Sequence, residues 1–581
     1  MTPRPLVHPD ALSSGFIVVE QSLKTLVALS EHIEVMILEY YNGTHFSIIP
    51  RPLIVEPVIS LLQVLRGSDH EPALVTGLAR ARENLRRSFP TISPDSSKVD
   101  FLRSFTGRNV RLEFIGLTFV LAGVATMYAD TRPPFDEATF AMEMYTACRV
   151  CLQMCDAYNQ VNDITTWARF INLHLSSALL GNASETVYQV FNESVAELFV
   201  MGFHRLISSP PNVPLFVLET RKRIFAAAVA RDKAAATLFG RPPRIDNRFC
   251  DMTLPSDLDD EEVLLEGAQL QKASQECDAD GWKCTTGKNR GIRQSSLVRL
   301  RYQHALLHEK VLHLSLGNRP ASFSTELHDA YQDYHRALAN IPQQYRYHSS
   351  VWTESSPHLC VALLVIHLTY LYSGFLLERM LLECSQIPIS CLLDTSANLL
   401  SSVLDFIQEQ HRHPKLRERY TWMFLYYGLP GAGTLATELH QSSQTGVRLP
   451  TSKPISQIIR NLSVLLAYFE RKKFPDRPDF HICVHISKVI SAVLDDTLNK
   501  GLPSFKAGGD NQSHQEKSMR PGQAENHYSS FERDGNLHSN FDTIPDLPDS
   551  MTSQDFLNWF DELIWDYPVG DSDVGNRVHY R

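Results

Sequence analysis

Apolar residues recur every three or four positions along most of the chain, whereas the alternating pattern of β-strands is scarce. Start and stop signals accompany this period: Ser184 precedes one apolar run, and Gly181 and Gly240 stand where others should end. The pattern predicts an all-α protein, with helices near residues 15–40, 55–67, 70–88, 110–129, 135–159, 162–181, 184–206, 214–239, 296–316, 323–341, 357–385, 393–412, 418–445, 452–471 and 478–498.

Two segments break the helical pattern. Residues 255–292 contain acids, glycines and few large apolar residues, so we expect a long surface loop. Residues 501–545 contain no apolar run and cannot bury enough surface to offset chain entropy, which predicts a disordered linker. The organisation we expect is a large helical domain over 1–500, this linker, and a short acidic helical tail over 546–581.

One apolar run is long enough to raise the question of a membrane span. Residues 359–377 contain no acid, lysine or arginine over nineteen positions. Polar residues interrupt the run, among them His367, Tyr370 and Ser373, and a helix that is apolar all round also suits the centre of a large helical protein. We therefore expect a buried core helix and no membrane partner.

Composition narrows the class of protein further. The 581 residues are 21% charged and 43% hydrophobic with a net charge of −10, which excludes a wholly disordered chain and a strongly basic nucleic-acid binder. Residues 541–581 alone carry nine acids and two arginines, so the tail holds most of the negative charge. The ten cysteines are scattered and no signal peptide is apparent, which indicates an intracellular protein with reduced thiols.

Motifs of enzymes and metal sites are weak. The segment from Gly281 to Asn289 departs from a phosphate-binding loop in the spacing of its glycines, and Asn289 stands where Ser or Thr should meet magnesium. Cys148, Cys151 and Cys155 share one helix face, but zinc needs a fourth ligand and no Cys or His is close in sequence. We expect a core stripe of cysteines, no cofactor and no catalytic site.

Four stretches of residues 108–262 form a recognisable pattern: Arg108–Phe119, Glu197–Arg205, Glu219–Lys233 and Leu238–Pro255. Together they resemble the fungal-specific transcription factor domain, the helical region that follows a six-cysteine zinc cluster in fungal regulators. The sequence departs from the usual pattern of this domain at Leu112 and Ala226, where each residue stands in place of a tryptophan.

The resemblance implies a nuclear transcription regulator, and for many relatives the target is a metabolic or secondary-metabolite gene cluster. The family's DNA reader is a pair of Cys-x2-Cys-x6-Cys repeats that bind zinc, but this sequence has no cysteine before Cys148. The DNA-contacting residues therefore have no counterpart here. Either the protein lacks them or the sequence is truncated.

Charged residues within the resembling region suggest two features. An Asp on the apolar stripe of a helix is costly to bury without a partner, so we interpret Glu219, Asp232 and Arg241 as a polar cluster that fixes the fold. A basic excess nearby is expected to be a solvated, ion-paired face, with a DNA or ligand contact as the alternative; it includes Arg221, Lys222, Arg223, Lys233, Arg244 and Arg248.

The acidic tail combines carboxylates with large apolar side chains. Thr552-Ser-Gln-Asp555 resembles a capping box, and apolar residues then recur at helical spacing at Phe556, Trp559, Phe560, Leu563 and Tyr567. Acidic, aromatic-rich segments suit transcriptional activation, in which a partner groove accepts the apolar face. We favour this activation segment; the alternative is a terminal helix that docks on its own body.

Three functions remain open from the sequence. The first is a transcription regulator whose tail recruits the transcription machinery or a coactivator and whose body dimerises. The second is a coregulator that reaches DNA only by pairing with a zinc-cluster relative, which the missing cysteines favour. The third is a helical protein that binds a small molecule.

Overall fold

The prediction of an all-α fold is confirmed. A computed structural model describes residues 9–43, 47–67, 70–209, 211–278, 280–283, 292–410, 412, 420, 422–471, 478–500 and 551–565. Over these residues the chain forms 20 α-helices and no β-strand. The predicted linker over 501–545 lies outside the described residues.

Ten helices precede the first long connection. They are α1 (Pro9–Ala28), α2 (Ser30–Gly43), α3 (Arg51–Arg66), α4 (His70–Asn84), α5 (Lys98–Arg103), α6 (Leu112–Tyr128), α7 (Glu137–Ala157), α8 (Asp163–Leu180), α9 (Glu185–Val200) and α10 (Leu215–Phe239).

Ten more helices follow, and a π-helical turn at Phe424–Gly428 leads into one of them. They are α11 (Gly267–Gln275), α12 (Gln294–Leu316), α13 (Phe323–Ala339), α14 (Val351–Glu354), α15 (Pro357–Glu383), α16 (Ile389–Gln410), α17 (Leu429–Thr445), α18 (Ile455–Arg471), α19 (Pro478–Lys500) and α20 (Ser553–Trp565).

The first hydrophobic core surrounds α6, which is apolar on every side except for Glu113 and is buried over almost its whole length. Helices α2, α7 and α8 enclose it. Cys148, Cys151 and Cys155 of α7 lie in this core with fully buried side chains, and burial raises the pKa of each thiol. The cysteine stripe is therefore a packing feature, as predicted.

The prediction of a single helix near residues 15–40 is wrong, because the chain bends there by 83° between α1 and α2. Both helices are rich in apolar residues, so the periodicity continues across the bend. The bend lets α1 lie on α7 while α2 lies on α6. Tertiary packing thus decides a break that the local pattern does not show.

Two further cores involve α15. One joins α15 to α16–α20, and the other joins α15 to α12 and α13. Among the described helices, α15 has the length and apolar composition of a membrane span, but 67% of its most apolar stretch is buried within the protein. Neighbouring helices cover α15 on several sides, so α15 is the buried core helix that the sequence predicts.

The predicted surface loop over 255–292 is only partly a surface loop. Asp257 is completely buried and accepts hydrogen bonds from the Lys283 backbone N–H (3.0 Å) and the Ser296 hydroxyl (2.5 Å). Leu258 and Trp282 are also buried, and α11 lies within the segment. The prediction of a surface loop rested on the low apolar content of the segment. That content is a poor guide here, because hydrogen bonds hold this connection in place.

Candidate functional site

The N-terminus of α8 connects three of the four stretches that carry the family resemblance. Asn162 caps α8 by accepting from the backbone N–H groups of Ile164 and Thr165, and its side-chain amide donates to Glu113 (3.1 Å) in the first stretch. Glu197, in the second stretch, accepts a hydrogen bond from the Thr165 hydroxyl (2.7 Å). All these side chains are buried, so they link helices inside the body.

The third stretch joins the same point through an ion pair. The guanidinium of Arg221 donates two hydrogen bonds to Asp163, at 2.7 and 2.8 Å, and lies 5.3 Å from the centre of the Phe203 ring. Asp163 is in the first turn of α8, where the helix dipole also favours a carboxylate. A bidentate buried pair of this kind fixes the angle between α8 and α10.

The residues predicted to form one polar cluster lie in separate interactions. Glu219 and Asp232 are thirteen positions apart in α10, or about 20 Å along the axis. Glu219 pairs with Lys222 (2.7 Å) and accepts from the Ser256 backbone N–H (2.8 Å). It therefore anchors the chain that leads away from α10 and lies far from Asp232.

Asp232 holds the segment that follows α10. Its carboxylate accepts from the backbone N–H groups of Arg244 (2.9 Å) and Ile245 (3.0 Å) and pairs with Lys233 (3.1 Å). Burial raises the pKa of Asp232, and these contacts oppose the rise. Arg241 lies instead over the Tyr188 ring, 4.7 Å from its centre, as a cation–π contact.

The basic residues of this region do not form the solvated face that was predicted. Arg221, Arg223 and Lys233 are buried, and Lys222 is mostly buried beside Glu219. Arg223 donates to Asp260 (2.6 Å) and to the Leu258 carbonyl oxygen (2.7 Å). Four of the six predicted contact residues are thus held by acidic partners of the body itself.

The two remaining basic residues are exposed. Arg244 lies over the Tyr188 ring at 5.5 Å, and Arg248 donates to both carboxylate oxygens of Asp246. Asp246 also approaches Glu309 and His313, with ligand atoms within 4.8 Å of one another. Cations already occupy this cluster, however: Arg248 binds Asp246, and Lys233 lies 3.2 Å from Glu309. The cluster is a salt-bridge network.

The C-terminal helix α20 docks on the body in a groove beside α17. Phe556, Leu557 and Phe560 are buried in the core that joins α15 to α20. Gly433 of α17 makes this approach possible, because a Cβ atom there would stand 1.9 Å from the Phe556 ring. Trp565 covers Gly240 in the same way, at 2.3 Å, so α20 also reaches the end of α10.

Polar contacts fix the orientation of α20. Arg379 of α15 donates to Asp561 (2.7 Å) and Asn558 (2.8 Å), and Gln554 donates to Glu383 (3.0 Å). Burial raises the pKa of Asp561, and its pair with Arg379 opposes that rise. The helix is therefore held by a buried apolar face and by charge pairs at its edge.

The helix begins at a reciprocal cap, as the sequence predicts. The Thr552 backbone N–H donates to Asp555 (3.0 Å), and the Asp555 backbone N–H donates to the Thr552 hydroxyl (3.1 Å). This is the hydrogen-bond pattern of a capping box. Such a cap satisfies backbone groups at the start of the helix locally.

The apolar face proposed for activation is the face that docks. Phe556 and Phe560 are buried, and Trp559 and Leu563 pack at the edge of the same core. The sequence favoured an apolar face that is open to a partner. In this structure the face docks on the body, which is the alternative that the sequence analysis named. The groove supplies a large apolar surface that the sequence did not reveal. Tyr567 lies outside the described residues.

A buried histidine pair was not anticipated from the sequence. His304 and His308 of α12 stack at 5.3 Å, and each ring has a nitrogen 2.8 Å from the hydroxyl oxygen of Ser373 in α15. Burial lowers the pKa of His304 to about 4 and holds the pKa of His308 well below its usual value, so both are neutral at neutral pH. The spacing of four residues between His304 and His308 places both on one helix face, and this spacing was the signal in the sequence that could have indicated the pair.

Comparison with known proteins agrees with the resemblance. Residues 179–296 match the family model described as "Fungal specific transcription factor domain". No curated protein and no solved structure matches the chain significantly.

The matched segment contains α9, α10 and the buried basic residues, and it overlaps the 108–262 region that the sequence indicated. This domain family belongs to transcription regulators and is not an enzyme family. Residues 179–296 thus match a fungal specific transcription factor domain, which supports a relationship between the chain and fungal transcription regulators.

Proposed function

We propose that the protein regulates transcription in the nucleus and that its helical body is a regulatory module that reaches DNA through a partner. The observation that carries this proposal is the burial of the basic segment. Arg221, Arg223 and Lys233 are bound to carboxylates of the body, so they have no free charge to offer phosphates. This favours a coregulator over a direct reader, with a zinc-cluster relative as the partner that contacts DNA.

DNA binding by the purified full chain tests this proposal. Binding to the organism's promoter fragments and to random DNA is measured across a salt series. We expect no sequence preference and a shallow salt dependence, because the basic side chains of α10 are held by carboxylates and cannot displace counterions. A steep salt slope with a clear preference for one promoter would contradict the proposal.

The double variant Arg244→Gln, Arg248→Gln is the control, since both side chains are exposed. If these two arginines account for residual binding, the salt slope should fall by about two. A larger fall would mean that more of the basic segment contacts DNA than its burial allows, and that result would also count against the proposal.

We further propose that α20 is an effector helix that the body keeps covered. Its acidic residues and its apolar face match the chemistry of segments that dock in coactivator grooves. The same face, with Phe556 and Phe560 at its centre, is buried against the body. A coactivator and the groove beside α17 therefore compete for one surface.

A reporter assay tests the effector role. The full chain is fused to a heterologous DNA-binding module, and Gly433→Leu is used to expel α20, because the nearest atoms to a new side chain there belong to Phe556. We expect reporter output to rise about tenfold. Gly77→Ala is the control, since a Cβ at Gly77 meets nothing within 4 Å. Unchanged output after demonstrated release of α20 would reject the effector role.

For the regulated genes we propose a metabolic or secondary-metabolite cluster, which rests on the family resemblance alone. Transcript profiling after deletion of the gene tests this target. Loss of expression confined to one contiguous cluster would support the proposal, and scattered changes would contradict it.

A further inference from the structure

Helix α20 ends beside an exposed basic surface of the body. Trp565, its last residue, covers Gly240 at the end of α10, where the indole ring occupies the space that a Cβ atom would need. Arg241 follows Gly240 directly, and Arg244 stands three positions further along the chain. The chain that continues from Trp565 therefore starts next to these two arginines.

The two arginines stack on one aromatic ring. The guanidinium of Arg241 lies 4.7 Å from the centre of the Tyr188 ring and that of Arg244 lies 5.5 Å from it, and both arginines are exposed. Unlike Arg221 and Arg223, neither forms a salt bridge with a carboxylate of the described residues. A guanidinium that stacks by its face keeps its edge N–H groups for an acceptor. We call these three residues, with Tyr188, the arginine surface.

The segment that follows α20 has the complementary charge. Residues 566–573, which lie outside the described residues, contain Asp566, Asp571 and Asp573 and no lysine or arginine. Eight residues span at most about 28 Å when extended, so these carboxylates can reach both guanidinium groups from the end of α20. A short tether also gives the segment an effective concentration on the order of millimolar at a site next to its attachment point.

We propose that the acidic segment 566–573 of this chain binds the arginine surface and thereby holds α20 in its groove beside α17. Carboxylates of the segment accept charge-assisted hydrogen bonds from Arg241 and Arg244. The inference goes beyond the proposed function. It rests on the docking of α20 and not on an effector role, so the segment can hold α20 whether or not this helix recruits a coactivator.

Hydrogen exchange over residues 553–565 of the purified full chain tests the arginine surface. The double variant Arg241→Gln, Arg244→Gln should accelerate exchange in α20 about fivefold, as expected for the loss of exposed ion pairs. The control is Arg80→Gln, Arg86→Gln, which removes the same charge from exposed positions in and just after α4. The control should leave exchange in α20 unchanged.

A second variant tests the acidic segment itself. Changing Asp566, Asp571 and Asp573 to Asn should also accelerate exchange in α20 about fivefold. The matched control changes Glu516, Glu525 and Glu532 to Gln, which removes the same charge from the chain that precedes α20. When the arginine and aspartate changes are combined, exchange should be no faster than in either variant alone, because both remove the same contact.

Three results would overturn the proposal. Multiplication of the two effects, to about 25-fold, would show that the arginines and the aspartates act at separate places. An effect of the arginine changes without an effect of the aspartate changes would assign the arginine surface to another acceptor. Loss of the wild-type protection on tenfold dilution would assign the contact to the segment of a second copy. The reporter assay reads the effector role separately, so the two proposals can fail independently.

Discussion

The basic segment of α10 and the acidic helix α20 carry opposite charge, and each suggested a contact with another molecule. The two segments differ in which of their side chains are buried. In α10 the side chains of Arg221, Arg223 and Lys233 are buried and bound to acids elsewhere in the body. In α20 one apolar face is buried, and the described acids lie toward the edge, where Asp561 meets Arg379.

The difference shows how charge relates to function in this chain. A charge that is buried and paired cannot leave its partner without a large loss of stability, so α10 is a fixed part of the body. A helix held by one face and one edge can separate from the body at a much smaller cost. The acidic helix is therefore the more suitable of the two for an exchangeable contact.

Breaking the buried pair in α10 should have the largest effect. Arg221→Met removes both hydrogen bonds to Asp163 and leaves a buried carboxylate without its partner. We expect the free energy of unfolding in urea to fall by about 3–5 kcal/mol. Arg248→Met, which removes an exposed pair with Asp246, is the control and should cost less than about 1 kcal/mol. Similar losses for the two variants would mean that α10 is not fixed by its buried pairs.

A titratable group in α15, the helix that contacts both α12 and α20, should make the whole body sensitive to pH. Burial raises the pKa of Glu378 from 4.5 to about 7, so the folded protein holds this proton more tightly than the unfolded chain. Stability that is present below pH 4.5 should therefore be lost as the pH rises through about 7. The shift corresponds to at most about 3 kcal/mol.

Urea unfolding at about pH 5 and pH 8 measures this effect. Glu378→Gln keeps the size of the side chain and cannot ionise, so its stability should vary less between the two pH values. If the variant kept the full pH dependence, Glu378 would not be the responsible group.

Expelling α20 should have a smaller and more local effect. Gly433→Leu places a side chain where the Phe556 ring lies, and we expect the helix to lose about 2 kcal/mol of docking free energy. Hydrogen exchange should show faster exchange over residues 553–565 with little change in α10. Gly77→Ala should leave exchange over 553–565 unchanged. Faster exchange throughout the body would show that α20 is as integral as α10.

Removing the edge contacts of α20 should have the smallest effect. Arg379→Ala eliminates the hydrogen bonds to Asp561 and Asn558, and we expect a loss of about 1 kcal/mol of docking free energy. Arg319→Ala removes an exposed pair with Glu383 and should change exchange over α20 only marginally. A larger effect of Arg319→Ala than of Arg379→Ala would contradict the assigned contacts.

Much of the fold follows from the sequence, because helix formation depends on neighbours three and four positions away. The helical class, the buried cysteine stripe and the cap between Thr552 and Asp555 all depend on such local relations. The four stretches of the family resemblance likewise pointed to residues that the structure joins through α8, such as Glu113 and Glu197.

The candidate site could be predicted only in part. The sequence indicated that Asp232 needs a partner, but it grouped Asp232 with Arg241, whereas the partners are Lys233 and two backbone N–H groups. Backbone donors carry no residue signature, so a search among arginines could not find them. The same reason explains why residues 255–292 were interpreted as a surface loop.

The sequence by itself determined that the chain is all-α, that its tail starts an amphipathic acidic helix, and that it resembles a regulator domain. Only the tertiary structure decided what each polar or apolar face meets. The docked position of Phe556 depends on Gly433, and Arg221 pairs with Asp163. In each case the two residues are distant in the sequence. Periodicity shows that a face exists, but the surface opposite that face is set by how the helices pack.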